Sequence, residues 1–293
     1  MHGKNRILAG WLFVSPALVI FTALVILPIA WSFSFSLERW NGLGRKVFIG
    51  LTNYLHLFGD GVFLQSFVNS LVFSALGSVV QLLLGMTMAV VLLSLPAFRD
   101  LVRVAYFVPS VISSVAISQI FAQLLAVHPE GIVNALLVLV GLGQFRGAFL
   151  SDTNLTLIIV TLVDAYKFCA IYMAIYYSAL ISLDSEMLDA AEIDGANWWQ
   201  QLLLIRIPVI KATIAVTVVL VVSGTLRGFD ISFILTNGGP GAASELVSTY
   251  LYKMLFNASN FGYGSAIAVF LVVECLLAVA VIRWALRAER VEL

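Results

Sequence analysis

The stretch "DSEMLDAAEIDGANWWQQLLLIRIP", residues 184–208, is charged and amphipathic, yet it stands between two long apolar runs. Its opening residues are rich in carboxylates: Asp184, Glu186, Asp189, Glu192 and Asp194. Over the whole chain only 11% of residues are charged and 61% are hydrophobic, and soluble domains carry about twice that charged fraction. The stretch therefore marks a loop outside a membrane, and the fold follows from the apolar runs on either side of it.

Six apolar runs are long enough to cross a bilayer, which takes about 20 mostly apolar residues. The predicted spans cover residues 8–36, 66–95, 104–126, 153–181, 209–232 and 263–284. The first run is too long for the core of a signal peptide and lacks a cleavage site, so we expect it to be retained. The stretch 132–142 is too short to span, and we expect it to lie at the interface or to re-enter. The sequence predicts an all-α integral membrane protein with one domain over residues 1–293.

Lysine and arginine concentrate on one side of these six spans. One side holds Lys4, Arg6, Arg99, Arg103, Arg206, Lys211, Arg283, Arg287 and Arg290. The other holds Arg39, Arg45, Lys46, Arg146 and Lys253. Because cytoplasmic loops carry the excess of positive charge, both termini and the loop 184–208 are predicted to be cytoplasmic.

The loop carries the start and stop signals of two short helices. Asp184 can cap the first helix, and Gly195 is placed to end it. Asn197 and Gln200 have the spacing of a capping box for the second helix, and Pro208 suits the first turn of span five. The sequence predicts helix, tight turn, helix.

The first of these helices has one side of small residues. Met187, Ala190 and Ala191 share that side, while Asp189 and Glu192 lie opposite. Such a side permits close approach of another surface. The alternative is an ordinary solvated surface helix.

The segment "DAAEIDGANWWQQLLLIRIP" resembles the cytoplasmic signature of binding-protein-dependent ABC importer permeases. In that signature three residues separate Glu-Ala-Ala from a Gly, and nine residues separate this Gly from Ile-x-Leu-Pro. Here Asp189–Ala191, Gly195 and Ile205–Pro208 stand at matching spacing. Asp189 replaces the usual Glu, and Ile207 replaces the usual Leu.

Two further segments resemble the carbohydrate subgroup, the maltose-type and glycerol-phosphate-type permeases. They are "GFDISFILTNGGPGAASELVSTYLYKMLF" (residues 228–256) and "FIGLTNYLHLF" (residues 48–58). The resemblance covers nearly the whole chain. It implies the six-span type I ABC importer permease fold and import of a sugar or oligosaccharide.

The resemblance also implies partners. The loop would be a coupling helix seated in a cytoplasmic ATPase, with contacts through Glu186, Asp189, Ala190, Ala191, Asp194 and Gly195. A second, related permease, two ATPase subunits and an extracytoplasmic binding protein would complete the complex within membrane lipid. The chain has no Gly-rich phosphate loop ending in Lys-Ser/Thr, so ATP and Mg would be bound by the ATPase and no cofactor by this chain.

Ionisable residues inside spans are functional candidates. Span four carries Asp164, Phe168, Tyr172 and Tyr176 at steps of four, and a carboxylate followed by rings suits a sugar. By the resemblance, the substrate path comprises Asp164, Phe168, Ile171, Tyr172, Thr225 and Gly228. The alternative is charge neutralisation at i+3 spacing, of Asp164 by Lys167 and of Asp230 by Arg227.

Gly238, Gly239 and Pro240 form a turn signal, and in the resembled family this outer loop meets the binding protein. The alternative is a plain linker. Glu274 has no evident partner and is a candidate to face the companion permease.

Other functions are less well supported by the residues. One alternative is an ABC importer of glycerol phosphate or another polar solute, in which Arg227 would bind the phosphate. An ion-driven secondary transporter would use Asp164 or Glu274 as a proton site, but leaves the loop 184–208 unexplained. For a metal site or a membrane-embedded enzyme, Cys169 and Cys275 lack metal-ligand spacing and the three histidines are scattered. The balance of 16 basic and 16 acidic residues gives no sign of a nucleic-acid partner.

Overall fold

The computed structural model describes residues 2–95 and 99–286 of the chain. Arg287 and Arg290, which enter the charge count above, lie outside the described residues. The chain divides into two compact units. The first comprises Met1–Phe63 and Tyr250–Val273, and the second comprises Leu64–Thr249 and Glu274–Leu293.

The first unit begins with a long apolar helical segment and a small hairpin. Its elements are α1 (His2–Phe21), a π-helical stretch (Thr22–Ile26), α2 (Leu27–Ser36), β1 (Glu38–Arg39), β2 (Val47–Phe48) and α3 (Thr52–Gly59). The two strands pair antiparallel, with Glu38 opposite Phe48. Trp11–Ser36 is long and apolar enough to cross a membrane, and none of that window is buried inside the protein. This segment matches the predicted first span.

Hydrogen bonds tie the end of α2 to α3. The Asn53 side-chain amide donates to the carbonyls of Ser36, at 2.8 Å, and Glu38, at 3.0 Å. The hydroxyls of Ser36 and Tyr54 lie 2.6 Å apart. Because these contacts hold the exit from α2, the chain leaves the first span at a fixed angle.

Asp60 joins three segments of the first unit just before α4 (Gly61–Ser94). Its Oδ1 accepts from the backbone N–H of Val62 at 2.9 Å, and its Oδ2 accepts from the hydroxyls of Tyr250 and Tyr263, each at 2.6 Å. Burial alone would raise the pKa of the Asp60 carboxyl, but the hydrogen bonds it accepts hold that pKa below its usual value. The carboxylate therefore acts as a charged junction between distant parts of the chain.

The second unit contains most of the helices. After α4 the chain forms α5 (Arg99–Val111), α6 (Ser114–Leu124), α7 (Ile132–Leu139), α8 (Thr156–Ile181), α9 (Ser185–Ile193), α10 (Trp198–Gln201), α11 (Ile207–Val209), α12 (Lys211–Leu226), α13 (Asp230–Thr236), α14 (Val247–Tyr252) and α15 (Phe261–Leu286). The last two helices, α14 and α15, have residues in both units. Residues 2–95 and 99–286 hold five helical segments long and apolar enough to span a membrane, and a sixth if one bent pair counts as a span.

That bent pair is the predicted third span. α5 and α6 meet at an angle of 98° instead of forming one straight helix over 104–126. The Ser113 side chain accepts from the N–H of Ala116 at 3.2 Å and so starts a new helix. The carbonyl of Ile112, which lies at the bend, accepts a hydrogen bond from the Lys167 amine of α8.

The predicted fifth span is also interrupted. α12 ends at Leu226, and α13 starts at Asp230 after a short break. Gly228 lies in this break, where an added Cβ would stand 2.8 Å from the ring of Phe73 and 2.9 Å from the Thr225 carbonyl. Pro208 lies in α11, ahead of α12, and not in the first turn of the span itself.

Within the stretch 132–142, residues Ile132–Leu139 form α7, a short apolar helix with one buried polar residue, Asn134. The Asn134 side chain is buried and donates to the carbonyl of Ala126 at 3.0 Å. Ile132, Leu136 and Leu139 are exposed. The length and the exposed apolar side fit the interfacial location expected from the sequence.

Close packing of α4 against α8 sets the scaffold of the second unit. At Gly85 an added Cβ would stand 2.8 Å from the Cβ of Tyr172 and 3.0 Å from the backbone nitrogen of Met173. Only glycine allows the two helices to approach this closely. The approach brings the polar residues of α4 within reach of those on α8.

Candidate functional site

A cavity of about 330 Å³ lies in the second unit. All six residues predicted for the substrate path line it: Asp164, Phe168, Ile171, Tyr172, Thr225 and Gly228. The remaining lining residues are Gln81, Val221, Gly224, Arg227, Phe229 and Asp230. The structure therefore brings together residues that are far apart in sequence and that come from α4, α8, α12, the break after α12 and the start of α13.

Asp164 has a different partner from the one the i+3 spacing suggests. Its Oδ2 accepts from the Gln81 side-chain amide at 3.1 Å. The Lys167 amine donates to the Ile112 carbonyl and lies 5.4 Å from the centre of the Phe168 ring. No ion pair within 4.0 Å joins Asp164 and Lys167, two residues that the structure describes. The hydrogen-bond partner of Asp164 is therefore Gln81, and Asp164 lines the cavity.

Arg227 and Asp230 likewise take separate partners. The Arg227 Nε donates to the Ser223 carbonyl at 2.8 Å, which extends the end of α12. Asp230 Oδ2 accepts from the Ser114 hydroxyl of α6 at 3.1 Å. Both side chains line the cavity. Neither of the two i+3 pairs therefore forms a contact ion pair in the part of the chain that the structure describes.

The other walls combine hydroxyls and rings. Thr225 Oγ1 lies 2.8 Å from the Ser74 hydroxyl and donates or accepts within the α4–α12 contact. Phe168 and Phe229 also line the cavity, as does Tyr172, which is buried. Hydrogen-bonding groups and aromatic rings in one cavity suit a hydroxylated cargo with C–H faces.

The loop 184–208 has the predicted local structure. Asp184 caps α9, since its side chain accepts from the N–H of Glu186 at 3.0 Å. Asn197 and Gln200 form the capping box of α10, at 2.8 and 2.9 Å. Gly195 has a φ of +84° and ends α9, with its N–H donating to Glu192 at 3.0 Å. These bonds make a rigid helix–turn–helix from local contacts.

The two alanines of α9 face different surroundings. Ala191 is buried, at 9% exposure, whereas Ala190 is exposed. Ile193 is 87% exposed at the end of the same helix. The other four residues predicted to contact an ATPase are also exposed. They are the charged residues Glu186, Asp189 and Asp194, and Gly195 at the turn. A partner can therefore reach Ala190 and Ile193, while Ala191 packs against the chain itself.

The outer loop is folded more tightly than a linker. Gly238 is buried with a φ of +76°, and an added Cβ would stand 2.2 Å from Glu245 Oε2. The Ser244 hydroxyl donates to the Gly239 carbonyl at 2.7 Å. The Asn69 amide of α4 donates to the carbonyls of Ala242, at 2.9 Å, and Glu245, at 3.0 Å. Gly238 therefore shapes the loop from inside, and Gly239 and Pro240 are only partly exposed.

Comparison with known proteins decides the family. The sequence model for the binding-protein-dependent transport system inner membrane component matches residues 81–291, well over half of the chain. The chain belongs to this family. It is therefore a multi-pass membrane subunit of a transport system, and not an enzyme.

Individual relatives agree with that assignment. The permease is 36% identical to the probable ABC transporter permease protein YurN of Bacillus subtilis, over 92% of each chain. It is 31% identical to the lactose transport system permease protein LacF of Rhizobium radiobacter, over 88% of this chain and 87% of that one. Both matches extend along nearly the full length, so they include the span and loop regions described above.

Solved structures confirm the fold class. The permease is similar to a chain of a bacterial alginate ABC transporter in complex with an alginate pentasaccharide-bound periplasmic protein. The TM-score is 0.81 at 22% identity, over 95% of this chain and 94% of that chain. The predicted all-α membrane fold of ABC importer permeases is therefore confirmed.

Sequence reasoning did not single out several lining residues of the permease. Gln81 lies in α4, inside a long apolar run, and an uncharged amide in such a run gives little signal. Val221 and Gly224 likewise look like ordinary helix residues. Arg227 and Asp230 were visible as charges, but only the break between α12 and α13 brings both to the cavity.

Glu274 lies outside this cavity. It is buried, and neither carboxylate oxygen has a hydrogen-bond partner in the described part of the permease. Its side chain is not displayed on the surface of α15, as a residue facing a companion subunit would be. The same residues, 2–95 and 99–286, contain no cluster of histidine, cysteine and carboxylate side chains able to hold a metal ion.

Proposed function

We propose that this chain is a transmembrane permease subunit of an ATP-driven ABC importer that moves a sugar or oligosaccharide into the cytoplasm. The observation that carries the proposal is the convergence of Asp164, Phe168, Ile171, Tyr172, Thr225 and Gly228 on one cavity. The names of relatives support a carbohydrate cargo, since they include a lactose permease and a permease for starch degradation products.

The energy comes from partner subunits. In the proposed complex, ATP and Mg are bound by two cytoplasmic ATPases, and this chain holds no cofactor. The rigid α9 supports such coupling, because a short capped helix transmits a push without bending. The exposed Ala190 and Ile193 give an ATPase cleft a surface to contact.

Two further partners complete the proposed assembly. A second, related permease forms a heterodimer with this single-domain chain inside the bilayer. A solute-binding protein delivers cargo at the outer face, where Gly239, Pro240 and the exposed Gly241 are the accessible part of the outer loop. The rigidity of that loop supports a docking role, since a preformed surface loses little freedom on binding.

The proposed location is the cell membrane of a bacterium or archaeon, the inner membrane where there are two. Both termini and the loop 184–208 face the cytoplasm in this proposal. The excess of lysine and arginine on that side supports it. The side chain of Glu192→Cys, at an exposed position of the loop, should react with a membrane-impermeant maleimide only after the cells are opened.

Reconstitution tests the function directly. The chain alone should hydrolyse no ATP. The complete assembly in proteoliposomes should hydrolyse ATP faster when the loaded binding protein is added, and should accumulate solute only with ATP. Uptake by this chain alone, driven by a proton gradient, would instead establish an ion-driven transporter, for which Asp164 and Glu274 are the candidate proton sites.

The rival cargo within the same class is glycerol phosphate or another anionic solute. Arg227 is the observation in its favour, since the guanidinium lines the cavity and could bind a phosphate. An anionic solute needs positive charge in the cavity, whereas an uncharged sugar needs hydrogen-bonding groups.

A further inference from the structure

The charge of the chain changes sign at Gly195, in the middle of the loop 184–208. Residues 184–194 hold five carboxylates and no lysine or arginine. Residues 195–211 hold Arg206 and Lys211 and no carboxylate. Because charges of opposite sign are segregated along the chain, the two parts of the loop are suited to different surroundings.

The second part also exposes large apolar side chains. Trp199 lies in α10, and Leu203 and Leu204 lie in the π-helical stretch Leu202–Arg206 that follows it. All three are more than half exposed. Exposed apolar residues that include a tryptophan, directly before a membrane span, are typical of a segment in the membrane–water interface.

Packing just beyond this segment places Arg206 close to the membrane surface. Ile210 is buried in a core cluster with Tyr177 and Leu180, which lie near the end of α8. The Ile210 N–H donates to the Arg206 carbonyl at 3.2 Å. Arg206 therefore lies one helical turn, about 6 Å, before the point where the chain joins the packed helices. The phosphate groups of membrane lipids are found at this level.

The Arg206 side chain has no partner in the part of the chain that the structure describes. It is half-buried, and its Nε is buried without a hydrogen bond. No ion pair joins it to a carboxylate among the described residues. A buried donor without an acceptor is costly, and more so when it is charged. A phosphate group would satisfy this guanidinium, since arginine and phosphate often pair through two hydrogen bonds.

We infer that Arg206, Trp199, Leu203 and Leu204 form a binding site for an anionic phospholipid. The guanidinium holds the lipid phosphate, and the three apolar side chains contact the acyl chains next to the headgroup. A zwitterionic lipid also carries a phosphate, but residues 195–211 offer no carboxylate to its ammonium group. Basic residues at the membrane surface favour anionic lipids for the same reason. This site goes beyond the proposed function and depends on neither cargo nor ATP.

The test uses the full-length permease, with the subunits that co-purify with it, in nanodiscs of phosphatidylcholine and phosphatidylglycerol. One lipid at a time carries brominated acyl chains, which quench tryptophan fluorescence on contact. The Trp199 signal is the difference between the wild type and Trp199→Phe. We expect phosphatidylglycerol to be preferred at Trp199 about 5-fold, the value for one arginine near the membrane surface.

Two charge-removing variants separate this site from general attraction of lipid to a basic surface. Arg206→Gln should abolish the preference, while quenching by phosphatidylcholine shows that Trp199 still contacts lipid. Arg103→Gln is the matched control, because it removes the same charge from an exposed position of α5 on the same predicted side of the membrane. It should keep the preference of the wild type.

Several results would overturn the lipid site. An absence of preference in the wild type would do so without any arginine variant, and so would a preference that survives in Arg206→Gln. Equal losses in Arg206→Gln and Arg103→Gln would show general attraction only. If neither lipid quenched Trp199, this side chain would contact protein, such as an ATPase.

A further arm separates the lipid from free phosphate. Inorganic phosphate, replacing chloride at equal ionic strength, should leave the preference unchanged. If phosphate removed it, Arg206 would bind the free anion and the lipid site would be wrong. The importer proposal is judged separately, by whether the loaded binding protein stimulates ATP hydrolysis, so the two can fail independently.

Discussion

The loop 184–208 and the outer loop around Gly238 are both built on a glycine with positive φ, but they are held in different ways. The bonds that shape the first loop join residues at most five positions apart, as in the capping box of Asn197 and Gln200. The outer loop is pinned from α4, by Asn69 and by Ser70, across 173 to 177 positions. The hydrogen bonds of the first loop lie within its own sequence, whereas those of the second loop tie it to α4.

The largest effect is expected from Gly238→Val. Its Cβ would meet the buried Glu245 carboxylate, and its backbone would be strained at a φ of +76°. Strain and overpacking each cost about 1–3 kcal/mol, a large part of the stability of a typical protein. We expect little monodisperse protein by fluorescence size-exclusion chromatography.

Gly241→Val is the matched control for Gly238→Val. Gly241 also has positive φ, at +61°, but nothing lies within 4 Å of an added Cβ. Only the backbone strain remains, so this variant should be recovered in good yield. Equal losses for the two variants would mean that the outer loop is not held from inside.

The next effect is expected from Ala190→Trp. Because Ala190 is exposed, the indole should leave the membrane fold intact but block a cleft from approaching α9. We expect loss of ATPase co-purification and of transport, with an unchanged melting midpoint. Ala191→Trp should instead lower the midpoint, since Ala191 is buried. Full ATPase binding and transport in Ala190→Trp would reduce the loop to a solvated surface helix.

The smallest effects come from single hydrogen-bonding side chains. Asn69→Ala removes two buried donors from the outer loop and should cost about 1–3 kcal/mol. Asn197→Ala removes one exposed cap and should cost about 1 kcal/mol. Thermal melts in detergent measure both. If Asn197→Ala lost more thermal stability than Asn69→Ala, the outer loop would not be the more firmly held of the two loops.

The difference between contacts among near and among distant residues also explains which features the sequence could predict. The caps at Asp184 and Asn197 and the stop at Gly195 depend on neighbours in the chain, so their spacing was sufficient, and all three are confirmed. At the bend Lys167 of α8 donates to the Ile112 carbonyl, and at the break Phe73 of α4 lies against Gly228, so both irregularities are contacted from other helices. Hydropathy alone cannot detect such contacts, and it predicted continuous spans.

The candidate site follows the same rule. The residues on α8 were visible because Asp164 and the rings repeat along one helix. Gln81 was not visible, because its role depends on a partner 83 positions away. Thr225 and Gly228 were predicted from the family resemblance alone, because no local sequence pattern distinguishes them.

The junction at Asp60 has a consequence for biosynthesis. The two hydrogen bonds to Asp60 Oδ2 cannot form until Tyr250 and Tyr263 have been synthesised. These residues follow Asp60 by 190 and 203 positions in the chain. Domains usually fold from the N-terminus as synthesis proceeds, but this unit cannot close until nearly the whole chain has been made. The opening helices must therefore remain in the membrane with their junction unfinished. A truncation before residue 250 should leave them more open to proteolysis than the complete protein.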